Sequence, residues 1–324
     1  MRIRNLIFFA LLAISLDSFA QGCSDAGFCT MGAMRPSQIY TKKINFKLRS
    51  IEVSYYKGAT HLTPTISSAT VDFSFGFNDI TSMQIKLPYQ WVSGSMGSTS
   101  DLSDISLSIT RNIKSTDTYH INATLGTKIP TNKSNLQTGD TDITSDNLPH
   151  TLPMYYQTSL GSFDFVAGIA YISEKWMFAT GIQAALSANS NDFRYEDWDN
   201  YVDQFYIQSY DLATDLKRGT DIMFRAERAF HFSKVDIRVG LLPIFRIRKD
   251  RIVDKDLASE TFDQYVKVEG TTGLALSGLL NAAYHFNTMN SVKLMYGYKF
   301  VDRDVNPDGL TRDNVITLGY EARF

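Results

Sequence analysis

The 324-residue chain is short of most things that specify a familiar soluble enzyme. It has two cysteines, five histidines, eight prolines and a formal charge of only −2, from 32 basic and 34 acidic side chains. No apolar run approaches the roughly 20 residues that a membrane-spanning helix needs, which excludes a helical membrane protein. The balanced charge excludes a basic surface for nucleic acid. His61, His120, His150, His231 and His285 are scattered, with no i,i+4 pair and no metal-ligand spacing. No Gly-x-Ser-x-Gly elbow occurs. The stretch "HFS" sets His231 beside Ser233, the letters of a hydrolase pair, but no third partner is identifiable. The carboxylates of "DWDNYVD" at 197–203 lack the glycine and closing glutamate of a calcium loop. The expectation is a protein that is not an enzyme and carries no cofactor or metal.

What is present begins with "MRIRNLIFFALLAISLDSFAQ": Arg2 and Arg4, an apolar stretch from Leu6 to Leu16, then Ser18-Phe19-Ala20. This pattern predicts a secretory signal peptide over 1–20, cut before Gln21. In an exported chain the close pair Cys23 and Cys29 is expected to form a disulfide. A lipidated Cys23 is the alternative left open. The segment 21–43 that carries the pair is expected in the periplasm or inside the fold that follows.

From residue 44 to the C-terminus the sequence alternates. "ATVDFSFGFND" puts Val71, Phe73, Phe75 and Phe77 on one face, and "LSDISLSITRNI" sets Ile105, Leu107 and Ile109 against Ser106, Ser108 and Thr110. Period two fits these windows and helical spacing does not. Twelve such segments are predicted, at 44–56, 68–78, 80–90, 103–113, 118–129, 155–172, 175–188, 218–231, 234–248, 270–286, 290–302 and 313–324. The first loses its apolar phase between Leu48 and Ile51, which calls for a bulge near Ser50. The connections alternate between short and long, and many segments are long enough to cross a bilayer at a tilt. Aromatic residues gather near strand ends, as in Tyr89 with Trp91, Tyr171 with Trp176, Tyr284 with Phe286 and Tyr298 with Phe300. The fold class predicted is all-β: a transmembrane antiparallel β-barrel over 44–324, with short periplasmic turns and long extracellular loops. Its place would be the outer membrane of a Gram-negative bacterium. Partners then expected are outer-membrane lipid and lipopolysaccharide, and the barrel-assembly machinery through the C-terminal Phe324.

Strand phase assigns the inward residues. Lumen-lining candidates are Arg225, Glu227, Asp236, Arg238, Arg246, Lys293, Lys299, Glu321 and Arg323. A two-residue turn between 218–231 and 234–248 would set Glu227 opposite Arg238 and Asp236 near Ala229. Interleaved signs point to a paired network bracing the interior, ahead of a charged constriction that selects solutes. The loop at 189–217 carries Phe193, Tyr195, Trp198, Tyr201, Phe205 and Tyr206 among its acids. Such rings, exposed at the mouth, would offer a landing site to an apolar solute.

One stretch adds a resemblance. "IKLPYQWVSGSMGSTSDLSDISLSITRNI" (85–113) has Leu87-Pro88, a Gly-rich loop with Gly94 and Gly97, and "SDLSDISLS" opening the next strand. With "GTKIPTN" (126–132) and "YYQTSLGSFDFVAGIAY" (155–171), it resembles the outer-membrane barrels grouped as transporters of the phenol meta-degradation pathway. These are relatives of the long-chain fatty acid and aromatic-hydrocarbon channels. The resemblance covers roughly 80–175 and implies passive uptake of small hydrophobic or aromatic molecules. The alternative is a closed structural or surface-interaction barrel that acts through its extracellular loops.

Overall fold

Twelve antiparallel strands pair in sequence order, and the first returns to the last. The computed structural model describes Met31 and residues 46–60, 64–254, 259–307 and 312–324. The predicted signal peptide, Cys23, Cys29 and the rest of 21–43 apart from Met31 lie outside the described residues.

In chain order the strands are β1 (Lys47–Thr60), β2 (Thr65–Gly76), β3 (Thr81–Gly94), β4 (Gly97–Leu102), β5 (Ile105–Ser115), β6 (Tyr119–Ile129), β7 (Asp164–Ser173), β8 (Trp176–Ala185), β9 (Thr220–His231), β10 (Val235–Arg246), β11 (Arg251–Val253), β12 (Tyr265–Lys267), β13 (Gly273–His285), β14 (Asn290–Val301) and β15 (Arg312–Arg323). Strands β4, β11 and β12 stand outside the twelve-strand wall. β11 and β12 form a separate small hairpin, and β4 pairs with the upper part of β3. The wall closes through β1, which pairs with both β2 and β15, so no edge remains for water or lipid to satisfy. A strand of 12 residues is about 40 Å long and, tilted about 45°, rises about 28 Å, enough for the hydrocarbon core.

Alternation decides which side of each strand meets lipid. Val53, Tyr55, Ile109, Leu125, Ile169, Phe178, Phe224, Leu241, Leu294, Ile316, Leu318 and Tyr320 are large, apolar and exposed on the outside. The alternate positions are buried and mostly polar. That is the reverse of a soluble sheet, and it identifies an outer-membrane β-barrel of a Gram-negative bacterium. Aromatic girdles mark both rims: Tyr89 and Trp91 have ring centroids 4.8 Å apart, Tyr284 and Phe286 5.1 Å, and Tyr298 and Phe300 5.1 Å.

Most predicted strands hold within a few residues, and the irregularity near Ser50 is present as a register shift between Leu48 and Ser50. Three expectations need correcting. The segment 155–172 is not one strand: β7 starts only at Asp164, and 154–163 is loop. It bends at Gly161, whose φ of +65° favours glycine. The connection expected over 57–67 shrinks, because β1 and β2 continue to Thr60 and from Thr65. In the β9–β10 hairpin the turn lies one position later than expected, centred on 233–234 and closed by Phe232 N–H donating to Val235 O. The register therefore moves: Glu227 lies opposite Gly240, Arg238 opposite Ala229, and Asp236 opposite His231.

Candidate functional site

The lumen has two unlike walls. Across β2, β3, β5 and β6 the inward positions are hydroxyls and amides, including Ser68, Ser82, Gln84, Ser106, Ser108, Thr110, Asn112, Asn122 and Thr124, all buried. They pair across the strands: Thr110 and Thr124 hydroxyls are 2.7 Å apart, and Asn112 Nδ2 donates to Asn122 Oδ1 at 2.8 Å. Across β7–β10 and β13 an apolar stripe runs instead, formed by Val166, Ala170, Met177, Ala179, Met223, Leu242 and Leu279. Met31 belongs to the same cluster and is 1% exposed. It also touches the adjoining edge of the polar wall, because a Cβ on Gly126 of β6, which pairs with Val166 of β7, would lie 2.9 Å from Met31 Cε. A residue of the N-terminal segment is therefore seated inside the barrel.

Of the charges assigned to the lumen, Arg225, Glu227, Arg246 and Glu321 are buried and the others half-buried, and most are held in ion pairs. Arg225 Nε and Nη2 donate to Glu227 Oε1 at 2.9 and 2.6 Å, and Asn281 Nδ2 donates to the same oxygen at 2.9 Å. Arg246 grips Asp221 with two donors, Nε and Nη2, at 2.8 and 2.9 Å and reaches Asp250 with Nη1 at 2.8 Å. Lys293 lies between Glu52 at 2.8 Å and Glu321 at 2.9 Å, and Arg323 joins Glu321 at 2.7 Å. Lys299 is paired with Asp302 and Asp313. At the periplasmic rim Asp236 sits between His231 at 2.7 Å and His285 at 2.9 Å, and the other ring nitrogen of His231 faces Glu174 O. A buried pair is costly to break, since either partner alone keeps its desolvation penalty.

Above the lumen the extracellular loops form a core of their own. Phe193, Trp198, Ile207, Tyr210, Ala213 and Leu216 from the 186–219 loop pack with Leu152, Met154, Tyr155, Tyr156 and Leu160 from the 130–163 loop, and with Val92 and Met96 of the β3–β4 hairpin. The candidate loop aromatics thus divide. Phe193 and Trp198 are fully buried and Tyr195, Tyr201 and Tyr206 are half-buried, while only Phe205 stands in solvent at 89% exposure. A landing site made of all six exposed rings does not exist, because burying them is what gives the loops a fixed shape. The acids of "DWDNYVD" have local work: Asp203 caps the short helix α1 (Gln204–Gln208) by accepting from Tyr206 N–H, and Asp197 meets His150 at 3.3 Å.

The segment from Met154 to Ser162 follows this cap, and several of its residues are tied to separate loops and strands. Tyr155 Oη donates to Asn306 O at 2.6 Å. Tyr156 accepts Met96 N–H at its hydroxyl and the Thr99 hydroxyl at its carbonyl. Ser162 accepts from Arg218 Nη2 at 3.0 Å, and Arg218 is ion-paired with the fully buried Asp164. The central tie is Asp104, also fully buried, whose carboxylate accepts from the Ser159 hydroxyl and, at 2.9 Å, from Leu160 N–H, and pairs with Lys128 at 3.3 Å. Asp104 is aimed there by a bulge: Ser103 N–H donates to Pro88 O at 2.7 Å where β4 hands over to β5. Burial, and then the bond to Tyr206, raises the Tyr156 hydroxyl above the ordinary phenol range. Burial, helped by the charge of Glu196, raises the Asp211 carboxyl.

Sequence reasoning missed Asp104, Lys128 and Ser159 as a unit. The signal was present, since "SDLSD", "GTKIP" and "YYQTSLG" each contribute one member, but no periodicity joins loop residues across 55 positions. It also missed Asp221, Asp164 and Arg218, and it had no way to seat Met31.

No family model and no curated protein sequence matches the chain. Among solved structures, an outer membrane channel from Pseudomonas putida F1 superposes with a TM-score of 0.56 at 14% identity, covering 89% of this chain and 99% of the channel. The NanC porin gives 0.46 at 10% identity over 86% and 100%, and the KdgM porin 0.42 at 8% identity over 85% and 99%. The likeness to the P. putida channel is one of fold.

Proposed function

We propose that this channel-like barrel admits small hydrophobic or aromatic molecules by passive uptake, as the resemblance of residues 80–175 to the phenol meta-degradation transporters implies. The observation that supports this reading is the apolar stripe inside the lumen. Lipid cannot require it there, and a water-filled passage for sugars or ions gains nothing from it. Beside it, the hydroxyl and amide wall would offer hydrogen bonds to the polar edge of a solute. Phe205 and the half-buried rings of the cap provide apolar surface at the entrance. The lumen charges Arg225, Glu227, Arg246, Lys293, Lys299, Glu321 and Arg323 hold the wall in shape around this path.

A second reading, a closed structural or surface barrel acting through its loops, is favoured by the cap core and the Asp104 tie, both of which seal the mouth. Entry of an aromatic compound into intact cells, whose lipopolysaccharide leaflet retards apolar solutes, separates the two. The uptake reading expects faster entry in cells that express the barrel, and loss of that gain in Leu242→Glu. A folded barrel that speeds nothing, with the Leu242→Glu variant indistinguishable from it, supports the structural reading.

A further inference from the structure

Where this segment meets the wall, a cavity of about 20 Å³ remains, lined among others by Lys128, Gln90, Arg312, Thr158, Ser159 and Gln157. That volume holds one particle the size of a water molecule. Lys128 is 3% exposed and brings three N–H donors, yet among the described residues its only partner is Asp104. That carboxylate is itself divided among three donors, because the Ser159 hydroxyl and Leu160 N–H also bind it. Lys128 is therefore under-compensated on the cavity side. Thr158, 1% exposed, has a hydroxyl that meets no protein partner among the described residues. The guanidinium of Arg312, which also donates to the Tyr56 hydroxyl at 2.8 Å, adds a second cationic group to the lining. The lining contains no carboxylate; Asp104 is bonded to three lining residues but does not itself line the cavity.

We propose that this cavity is a binding site for a single monatomic anion of the halide class. Its lining holds two cationic side chains and no carboxylate, and polyatomic oxyanions are too large for the volume. A halide there would accept from Lys128 and Thr158 and would fasten residues 158–160 to β6 and β15. This is independent of the uptake reading, since a structural barrel would hold the ion equally well.

The test is crystallographic and then biochemical. Crystals of the mature barrel grown in sodium bromide should show an anomalous peak in the cavity, lost in Lys128→Met and weakened in the near-isosteric Thr158→Val. In solution, protease nicking of the 130–163 loop should be several-fold slower in sodium chloride than in sodium gluconate at equal ionic strength. That difference should shrink in Thr158→Val, which leaves every named ion pair intact. A cavity without an anomalous peak, holding only water, overturns the proposal. So does a chloride effect that persists undiminished in both variants.

Discussion

Removing the charge of Asp104 tests the account of the cap most directly. Asp104→Asn keeps the size of the side chain and leaves the Leu160 N–H an acceptor, but Lys128 loses its counter-charge while still buried. Breaking a buried pair by removing one partner typically costs about 3–5 kcal/mol. Here the strain is relieved locally, by releasing residues 154–162 so that the lysine meets water. The barrel ladder, which Asp104 does not join, keeps its stability. At the low end, about 3 kcal/mol corresponds to roughly a hundredfold rise in the open population of the segment. Hydrogen exchange of peptides covering 154–162 reads that population, because local opening has its own free energy. The expected result is exchange faster by about two orders of magnitude in this segment, with strand peptides unchanged and the thermal transition of the barrel nearly unmoved. Exchange within threefold of wild type would refute the assignment of Asp104 as the anchor, and a collapse of the whole barrel would refute the separation of cap from wall.

Three further outcomes follow from the same contacts. Ile109→Arg places a charge on the lipid face in mid-strand and should cost about 2–4 kcal/mol of barrel stability, read as a lower urea midpoint for folding into vesicles. Gly126→Leu should drive a side chain into Met31 Cε and Leu107 O, which an added Cβ alone would meet at 2.9 and 3.1 Å; single-channel recording should then show altered conductance, and unchanged traces would argue that Met31 does not restrict the path. In the cap, the hydrogen bond from His150 and then that from Leu148 N–H lower the Asp146 pKa below its ordinary 3.8. The folded form therefore binds its proton less readily, so the contribution of this tie is present above 3.8 and is lost as pH falls through the lowered value. Proteolysis with an acid-active protease across that window should show the 136–152 stretch loosening, and His150→Asn should weaken the dependence, leaving the part due to Leu148 N–H.

The barrel was legible because its rule is local. Ile105, Leu107 and Ile109 against Ser106, Ser108 and Thr110 declare a strand with a lipid side without reference to any other part of the chain, and repetition plus loop asymmetry supplies closure. The paired character of the lumen was legible for a related reason, since inward position follows from parity. Partners were not. Glu227 was matched to Arg238 on a turn placed at 232–233, and its displacement by one position along the chain moved every pair on that hairpin by two residues. Residues 155–163 misled in another way. Their "YYQTSLG" reads as a strand because buried apolar and hydroxyl residues look alike in a wall and in a plug, and only contacts with Asp104, Met96 and Asn306 distinguish the two. The loop aromatics failed similarly: composition shows seven rings, but whether a ring faces solvent or its neighbour depends on a second loop 50 residues away.

The choice between a conducting and a structural barrel comes down to one free energy. The wall cannot open, because every strand is paired on both sides and breaking a ladder in lipid leaves unsatisfied backbone groups. A passage through the lumen would run along the apolar stripe where Met31 sits and past the segment 154–162. Among the described residues Met31 packs in an apolar cluster, the kind of contact an apolar solute can replace at little net cost. The segment is held by buried charge and hydrogen bonds, which such a solute cannot replace. An apolar molecule could thus compete for the stripe in the lumen, yet would have to wait for the cap to open by itself. If that opening costs about 4 kcal/mol, the open state is populated at roughly one part in a thousand. Uptake would then be slow, gated by the cap, and accelerated by the loss of Asp104. A rise in both exchange at 154–162 and aromatic entry in Asp104→Asn would tie transport to the segment, whereas a rise in exchange alone would leave the barrel closed for some other reason and favour the structural reading.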